Sequence, residues 1–584
     1  MRRTKIVATI GPASEAPVML EHLVGAGMDV ARLNLSHGGR HDLERRLRAL
    51  LQLRAAHPDR PLGILVDTRG PEIRLNAFPQ GSVTLVAGQR FTLYPSSHPG
   101  DEEGVGVSYE LLYRDVQPGQ TVLLDDGNLT LRVEAVVDEA VRCVVECGGE
   151  LLSGKKVNLP GVMLDLPPLH PDDVQDLRLA GELGADFVAA SFIRDGDDML
   201  AVRRALEEVG ASRLAVIAKI ETQQGVAHAD EILRASDGLM VARGDLGVEL
   251  PAEEVPLVQK DLIGKCLEAG KPVITATQML ESMVTKSRPT RAEASDVANA
   301  IFDGSDAIML SAETAVGQYP LEAVRTMARI AERTEEALPF RERLARRATA
   351  SATTVTDAIS YATAVAAQNL GAAAILSVTE TGLTARMVAK YRPQNQILAA
   401  TSEPAVIHRL AVVWGVRPLR VPKGENIEDT IDAALRAALD GRAIDEGDLV
   451  VITAGAPAGL HGTTNMLKVQ TVGEVVLRGI GIGRGASTGR VVVARTAVDA
   501  GRLRDGDVLV LAQASGDMMP FMERAGGIIS EEAGHSSAAA AVGLAAGIPV
   551  ILGAADATSI LRDGELVTLD GARGLCYRGH ARVL

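Results

Sequence analysis

The 584-residue sequence is poor in cysteine, aromatic residues and positive charge. Its four cysteines include Cys143 and Cys147, which have no second Cys or His pair at zinc-site spacing, so neither a disulfide framework nor a zinc site is expected. Because these two cysteines are four residues apart on a predicted strand, they would face the same way. Their simplest interpretation is as small apolar side chains. Aromatic residues make up 3% of the chain, so Ala, Val, Leu and Ile must fill the cores, which favours an α/β fold.

The formal net charge of -15 is unfavourable for nucleic-acid binding, because phosphate backbones bind basic surfaces. No run of about 18 apolar residues occurs, and the basic amino terminus lacks the apolar core and cleavage site of a signal peptide. The sequence therefore predicts a cytoplasmic protein that binds neither nucleic acid nor membranes. A hydrophobic fraction of 46% and a length of 584 residues indicate several folded domains.

Short apolar runs alternate with helix-like segments, and each run ends in polar or charged residues. This alternation indicates βαβ units, and eight such units close into a (β/α)8 TIM barrel with its active site at the carboxyl ends of the strands. An open, doubly wound sheet is the alternative, but no GxGxxG turn follows the first run. The predicted strands are residues 6–10, 30–35, 63–67, 187–192, 215–220, 239–242, 273–276 and 307–310.

The barrel is predicted to comprise residues 1–69 and 168–338. Between these two parts, residues 70–167 show a period-two pattern with Gly and Asp turns, which predicts an all-β lid over the active-site face. The strand and helix pattern restarts in residues 339–472 and predicts a C-terminal α/β regulatory domain. A Gly- and Val-rich segment, residues 473–584, predicts a fourth domain.

Polar side chains stand at the ends of the second and third predicted strands. Arg32, Asn34 and Ser36 are alternate residues and share one face, and the third strand ends in Asp67 and Thr68. The oxygens of Asn34, Ser36, Asp67 and Thr68 can form a shell with a single negative charge. Such a shell suits a large monovalent cation better than zinc or copper.

Charged residues also end the fifth and sixth predicted strands. Period two points Lys219 and Glu221 the same way, and Asp245 follows the adjacent strand. Two carboxylates beside a lysine predict a magnesium site with a positive charge close to a transferring phosphoryl group. Gly244 permits close approach of a ligand to the backbone, and Thr277 ends the seventh strand.

Each of these residues has a plainer interpretation when taken alone. Charged side chains are usually exposed, and Arg32 could be a structural ion pair. Their shared placement at adjacent strand ends favours function. A barrel lysine can also form a Schiff base, as in aldolases, but carboxylates beside Lys219 would keep it charged. His37 and His170 are assigned no catalytic role, because a lone histidine is more often structural or exposed.

Eight strings stand in order at or near these strand ends: RLNLSHG (32–38), DTRGPEIR (67–74), KVNLPG (156–161), ASFIR (190–194), AKIET (218–222), MVARGDLGVE (240–249), ATQMLESM (276–283) and RAEASDVANAIFDGSDAIMLSAETAVGQYP (291–320). Over about residues 1–470 the sequence thereby resembles the pyruvate kinase family. The resemblance implies phosphoryl transfer from phosphoenolpyruvate to ADP, giving pyruvate and ATP in the last step of glycolysis. It also implies Mg²⁺ or Mn²⁺, and K⁺, as cofactors.

The resemblance implies a role for each matching residue. These are catalysis by Lys219, Arg32 and Thr277; substrate binding by Arg32, Gly244, Asp245 and Thr277; nucleotide binding by Arg74 and Lys155; a divalent metal on Glu221 and Asp245; and K⁺ on Asn34, Ser36, Asp67 and Thr68. In the family, a glutamate at the position of Glu72 is associated with dependence on K⁺. The lid lysine of the family is followed by glycine, which Lys156 replaces here. A barrel that only senses phosphoenolpyruvate would have lost some catalytic positions, and none is lost.

The resemblance also implies a homotetramer under allosteric control. In the third domain, Thr379, Thr381, Gly382 and Thr384 follow a strand and open a helix, a suitable place for a phosphate. A helix cap is the plainer interpretation. In the family this loop and a later one, here about residues 455–464, bind a sugar phosphate. Leu383 replaces a frequent basic residue, which favours a monophosphate such as AMP or ribose 5-phosphate over fructose 1,6-bisphosphate.

The stretch SEEAGHSSAAAAVGLAAGIPVILG (530–553) resembles the phosphohistidine domain of phosphoenolpyruvate synthase and pyruvate phosphate dikinase. Aligning residues 542–544 and 547–549 with that family places Ala538 at the histidine and His535 in the preceding hydrophobic slot. Alanine has no nucleophilic atom to accept a phosphoryl group. We therefore expect a degenerate domain that keeps its fold and performs no phosphotransfer.

Overall fold

The computed structural model describes residues 2–58, 60–95, 98–347, 354–455, 464–483 and 485–583. The chain divides into two compact units. Unit 1 comprises Met1–Phe340, Ala389–Arg392 and Glu403–Pro418, and unit 2 comprises Arg341–Val388, Pro393–Ser402 and Leu419–Leu584. In the described ranges, no helix combines the length and the hydropathy needed to cross a membrane.

Eight parallel strands close into a barrel in unit 1, which confirms the predicted fold class. Their Val-, Ile- and Ala-rich runs are buried, as expected for strands with helices outside and packed side chains inside. The eighth strand pairs with the first through Ala307 and Lys5, which closes the barrel. In chain order the strands are Lys5–Thr9, Val30–Asn34, Gly63–Asp67, Phe187–Ala190, Ala215–Ile220, Gly238–Ala242, Val273–Ala276 and Ala307–Leu310.

Some helices of unit 1 begin and end at capping residues. Thr290 and Glu293 form a capping box at the start of Arg291–Asp303, and Gly304 ends that helix with φ +109°. The other helices of four or more residues that lie mainly in unit 1 or share Phe340 with it are Pro17–Ala26, Arg40–Ala56, Leu112–Asp115, Pro171–Leu183, Gly196–Glu208, Gln223–Ala227, Ala229–Ala235, Arg243–Glu249, Val255–Ala269, the 3₁₀ helix Glu281–Val284, Ala312–Ala315, Pro320–Glu336, Phe340–Arg347 and Pro404–Arg409; Leu383–Ala389 reaches unit 1 with its last residue.

An all-β insertion follows the third barrel strand and has its own apolar core. Cys143 lies in that core, but Cys147 is exposed, so the expectation that both face the same way is wrong. A β-bulge between Val145 and Cys147 shifts the register and turns the second thiol outward. The strands are Ile73–Arg74, Ser82–Leu85, Arg90–Tyr94, Gly104–Gly106, Thr121–Leu124, Leu129–Val137, Ala140–Cys147, Gly149–Leu152 and Lys156–Asn158.

Unit 2 contains two sheets. The first sheet has three parallel strands, Gln396–Thr401, Ala374–Val378 and Leu449–Ala454. Met466–Thr471 pairs antiparallel with Leu449–Ala454. The strand Val416–Arg420 has residues in both units. The helices that accompany the first sheet include Val355–Leu370, Leu383–Ala389 and Ile427–Asp440. The second sheet contains Val475–Arg478, Ile480–Ile482, Ala486–Ala494, Val508–Leu511, Gly527–Ser530, Val550–Leu552, Leu566–Asp570 and Leu575–Arg578, with helices Ala497–Ala500, Met519–Met522, Ala538–Ala546 and Ala557–Ile560.

The carboxyl-terminal segment of unit 2 returns to the first sheet. The backbone N–H of Arg582 donates to Gly447 O at 2.7 Å, its guanidinium donates to Gly371 O at 2.9 Å, and Thr471 Oγ1 donates to Arg582 O at 3.1 Å. Gly447 has φ +90°, and a Cβ atom there would lie 1.9 Å from His580 O. The segment therefore packs against a position that a larger residue cannot occupy.

Gly447→Ala should destabilise unit 2 through both backbone strain and this clash. The matched control is Gly506→Ala, because Gly506 also has φ +90° but has open space around its missing Cβ. The control should cost about 1 kcal/mol of unfolding free energy, and Gly447→Ala about 1–3 kcal/mol more. Differential scanning calorimetry measures both. Equal losses in the two variants would contradict a tightly packed carboxyl-terminal segment.

Candidate active site

The barrel site is centred on the Asp67 carboxylate, at the end of the third strand. Arg32 Nε donates to Asp67 Oδ2 at 2.6 Å, and Lys219 Nζ donates to Oδ1 at 3.0 Å. Burial opposes ionisation of this 0% exposed residue, but the two cations outweigh it and lower the pKa of Asp67. The ends of the second, third and fifth strands thus meet in one charged cluster.

Lys219 is held by three oxygens. Besides Asp67, its Nζ donates to Ser191 Oγ at 2.7 Å and lies 3.0 Å from Glu221 Oε1. Burial alone would lower the pKa of Lys219, but Asp67 and Glu221 outweigh it and raise that pKa above the ordinary value. Lys219 is therefore a permanent cation in a fixed orientation.

Glu221 and Asp245 form a pair of carboxyl groups beside this ammonium. Glu221 Oε2 accepts the backbone N–H of Phe192 at 2.6 Å, and Asp245 lies in the first turn of Arg243–Glu249. Burial and the charge of Asp245 raise the pKa of Glu221, although Lys219 opposes them. Burial opposes ionisation of Asp245 too, but Lys156 and Lys219 lower its pKa. Burial is therefore the main reason that the ionised form of Glu221 is disfavoured.

This pair fits a divalent cation. A second positive charge between the carboxyls would stabilise the ionised form of Glu221, which burial now disfavours. Among the residues that the structure describes, no three His, Cys, Asp or Glu side chains cluster as a metal site. One or two carboxylates with the remaining ligands from substrate and water is the usual binding mode of Mg²⁺, whereas zinc takes more protein ligands.

The four residues expected to bind K⁺ lie at the ends of two paired strands. Asn34 stands opposite Asp67 in the register of the second and third strands, and Asn34 Oδ1 accepts the backbone N–H of Ser36 at 3.1 Å. Thr68 Oγ1 accepts the backbone N–H of Ser191 at 3.0 Å. These oxygens fit a monovalent cation by ligand type, and their one formal negative charge, on Asp67, also pairs with Arg32 and Lys219.

Thr277 has an unusual backbone conformation after the seventh strand. Its φ is +68°, a region that costs a β-branched residue about 1–3 kcal/mol. Thr277 Oγ1 accepts the backbone N–H of Gly244 at 2.7 Å, and Thr277 O accepts from the Arg243 guanidinium at 2.8 Å. The strained turn places the Thr277 hydroxyl against the first turn of Arg243–Glu249, which contains Asp245.

The two lid lysines point to different partners. Lys155, expected at the nucleotide, lies with its Nζ 2.6 Å from Asp125 of the lid. Lys156 Nζ lies 3.2 Å from Asp245 Oδ1 and 2.9 Å from Glu72 Oε1, so it reaches the barrel site. Arg74, also expected at the nucleotide, donates to Glu72 and to Gly154 O.

A cavity of about 390 Å³ lies beside this cluster, between the lid and the barrel loops. It shares Glu72, Lys156 and Phe192 with the site, whereas Lys219 and Thr277 do not line it. On its wall, burial raises the pKa of Glu249 to about 7, although the backbone N–H groups of Gln223 and Gly161 oppose this shift.

The predicted effector loop lies in unit 2. Thr379 Oγ1 accepts the backbone N–H of Gly382 at 2.9 Å, and Thr381 Oγ1 accepts that of Leu383 at 3.4 Å. The hydroxyls of Thr384 and Thr464 are 2.9 Å apart, which joins the loop to the end of the second predicted loop. Residues 456–463 of that second loop lie outside the described residues.

Sequence reasoning missed Ser191, Phe192 and Glu249, and it noted Lys156 only as the replacement of a glycine. Ser191 and Phe192 stand in the string ASFIR at the end of the fourth strand, and that position could have identified them. The contact of Lys156 had no such signal, because it joins residues 89 apart in the chain.

Glu249→Gln should make unit 1 less sensitive to pH. The folded-state pKa of Glu249 is raised from 4.5 to about 7, so its stabilising effect is complete below about pH 4.5 and is lost as the pH rises through 7. Between pH 5 and 8, the wild type should therefore lose about 1–3 kcal/mol more unfolding free energy than the variant.

Urea titrations at both pH values measure this difference. The buried Trp414, the single tryptophan of the chain, reports on unit 1 by fluorescence. Glu253→Gln is the control, because Glu253 is an exposed glutamate in the next segment. If the unfolding free energy of Glu249→Gln depended on pH as strongly as that of the wild type, the raised pKa of Glu249 would be refuted.

Three family models match the chain. "Pyruvate kinase, barrel domain" matches residues 1–324, "Pyruvate kinase, alpha/beta domain" matches 357–470, and "PEP-utilising enzyme, mobile domain" matches 503–574. The last match agrees with the expected relationship of the fourth domain to phosphoenolpyruvate-utilising enzymes.

Similar proteins match over the full length. The chain is 51% identical over 586 residues to a pyruvate kinase of Geobacillus stearothermophilus and 49% identical over 587 residues to one of Bacillus licheniformis, each match covering 100% of both chains. A crystal structure of a Cryptosporidium parvum pyruvate kinase superposes with a TM-score of 0.76 at 38% identity, covering 80% of this chain and 96% of that one. The chain therefore belongs to the pyruvate kinase family, and its reaction is phosphoryl transfer from phosphoenolpyruvate to ADP in the last step of glycolysis.

Proposed function

We propose that Lys219 is the cation that stabilises the phosphoryl group during transfer. The phosphorus breaks its bond to the enol oxygen of phosphoenolpyruvate and bonds to the terminal phosphate oxygen of ADP. The enolate left behind takes up a proton at carbon and becomes pyruvate. The observation that carries this assignment is Lys219 Nζ, held 3.0 Å from both Asp67 and Glu221 with a raised pKa. A fixed cation stabilises charge that develops in the transition state.

The neighbouring residues have complementary roles in this proposal. Arg32 binds the substrate phosphate, and its orientation is fixed by Asp67 and by Thr9, whose Oγ1 accepts from it at 2.9 Å. Gly244 and Asp245 bind the substrate. The Thr277 hydroxyl is assigned to the neighbourhood of the carbon that is protonated, and its strained turn and its contact with the Gly244 N–H support a fixed orientation.

The oxygen ligands that each group of residues offers support the assignment of the cofactor-binding residues. Glu221 and Asp245 hold Mg²⁺ or Mn²⁺, which when bound neutralises negative charge on phosphate oxygens. Asn34, Ser36, Asp67 and Thr68 hold K⁺. Arg74 and Lys155 bind the nucleotide; their side chains are 42% and 35% exposed, which leaves them accessible to a ligand.

Schiff-base chemistry at Lys219 is disfavoured. An aldolase-type lysine needs a lowered pKa so that its amine is neutral and nucleophilic. In this site Asp67 and Glu221 raise the pKa of Lys219 instead. The ammonium therefore remains a cation at neutral pH.

Lys219→Met should reduce kcat by at least about a thousandfold with a much smaller change in apparent substrate binding, because the charge acts mainly in the transition state. A coupled assay of pyruvate formation from phosphoenolpyruvate and ADP measures this, with chelator added to test for the divalent metal. Lys260→Met is the control, because Lys260 pairs with Asp303 at the surface. An unchanged kcat would remove Lys219 from its role, and turnover unaffected by chelator would contradict the metal site.

We further propose that Thr379, Thr381, Gly382 and Thr384 bind a phosphorylated effector such as AMP or ribose 5-phosphate. Support comes from the loop at the start of Leu383–Ala389 and from the 2.9 Å contact between the hydroxyls of Thr384 and Thr464. That contact links both loops that the family resemblance connects with effector binding. Family resemblance likewise supports a cytoplasmic homotetramer.

Thr384→Val removes the hydroxyl at nearly constant side-chain volume. An effector that couples to the substrate should shift the phosphoenolpyruvate saturation midpoint by about fivefold or more in the wild type, and the variant should lose most of this shift. Thr363→Val is the control, because the Thr363 hydroxyl donates to Ile359 O in its own helix. If the effector shifts variant and wild type equally, the site lies elsewhere.

For the fourth domain, we propose a structural or regulatory role without phosphotransfer. Ser537 caps the helix Ala538–Ala546, so the expected histidine position is its first residue, an alanine. His535 is exposed three residues earlier. The contacts of Arg582 with Gly371 and Gly447 support a role through packing within unit 2.

A further inference from the structure

Lys156 is the lid residue whose ammonium reaches the barrel site. It begins the strand Lys156–Asn158, which pairs with Ile73–Arg74 through Val157 and Ile73 and with Thr121–Leu124 on its other side. The neighbouring backbone is fixed as well, because Leu75 N–H donates to Lys155 O at 2.9 Å. The side chain therefore extends from a rigid position in the lid sheet.

Its ammonium lies among acidic groups. Nζ is 3.2 Å from Asp245 Oδ1 and 2.9 Å from Glu72 Oε1, and it lies 5.7 Å from the centre of the Phe192 ring. The Lys156 side chain is 24% exposed. These contacts tie the lid to the barrel through the same carboxylate that we assign to the divalent metal.

We propose that Lys156 is a tethered cation that competes with the divalent metal for Asp245 and thereby couples the position of the lid to metal binding. The inference rests on the proposed metal-binding role of Asp245. Ammonium and metal ion both need the carboxylate oxygen, and their positive charges repel each other at such short range. Metal binding therefore releases Lys156 from Asp245 and loosens this connection between lid and barrel.

The adjacent lysine shows why this role belongs to position 156. Lys155 carries the same charge on the same segment, but its Nζ pairs with Asp125 at 2.6 Å within the lid. Lys155 thus carries the same charge in the lid but pairs with Asp125 rather than with Asp245. The two lysines form a matched pair that separates direct competition from a general change in charge.

Binding of Mn²⁺ alone, without nucleotide or phosphoenolpyruvate, tests the competition. Electron paramagnetic resonance measures free Mn²⁺ for the wild type and for Lys156→Gln, Lys156→Arg and Lys155→Gln. We expect Lys156→Gln to bind Mn²⁺ roughly tenfold more tightly, since loss of one charge pair at this distance is worth about that factor. Lys156→Arg and Lys155→Gln should remain within about twofold of the wild type. Trp414 fluorescence checks that unit 1 is folded in each variant.

Asp245→Asn separates this inference from the proposed function. If Asp245→Asn abolishes Mn²⁺ binding but Lys156→Gln binds no more tightly than the wild type, the competition is refuted and the metal site stands. If Lys155→Gln tightened Mn²⁺ binding as much as Lys156→Gln, the competition would also be refuted, because the loss of any one positive charge would then explain the effect. If Asp245→Asn binds Mn²⁺ as the wild type does, both the metal assignment and the inference fail.

Hydrogen exchange tests the coupling to the lid. Mn²⁺ should increase amide exchange in residues 155–162 of the wild type, because the lid loses a contact. In Lys156→Gln, exchange should be high already and should change little when Mn²⁺ is added. Slower exchange on Mn²⁺ binding in the wild type would overturn the release of Lys156.

Discussion

The buried charge of Asp67 is the constraint on which the barrel site depends. A carboxylate removed from water is stable only when cations and donors surround it, and loss of one such partner typically costs about 3–5 kcal/mol. Arg32, Lys219 and Ser191 supply these contacts from three other strand ends. Because each of them must point at Asp67, one ionised group orients the chemical groups around it. The same need for charge balance explains why Lys219 keeps its proton.

Backbone strain positions the remaining groups. Phe192, Thr277 and Gln278 all have positive φ, each at a cost of about 1–3 kcal/mol. The turn at Phe192 aims its N–H at Glu221, and the turn at Thr277 aims a hydroxyl at the Gly244 N–H. A barrel packed from buried strands can sustain these turns, because its fold does not depend on the loops at the rim. These three turns therefore hold strained backbone next to the carboxyl and hydroxyl groups of the barrel site.

The barrel was predictable because its strands are continuous apolar runs. Gly63–Asp67, Ala215–Ile220, Val273–Ala276 and Ala307–Leu310 have the predicted bounds. The fourth strand ends at Ala190 rather than Phe192, because Phe192 leaves the extended conformation with φ +54°. The register of the lid was less predictable, since an inserted residue that shifts a strand leaves no mark in a period-two pattern.

For the site, strand ends identify which side chains meet at the rim, but not which pairs they form. Asp67 was expected among oxygen ligands, and its carboxylate instead pairs with two protein cations and accepts from Ser191. Lys156 could not be connected with Asp245, because side-chain reach across a lid depends on the docked position of the sheet. The bulge after Val145 has a further consequence: of the four cysteines, all of which are described, Cys147 alone is exposed. The native chain therefore carries a single accessible attachment point for a spectroscopic label, and it lies on the lid.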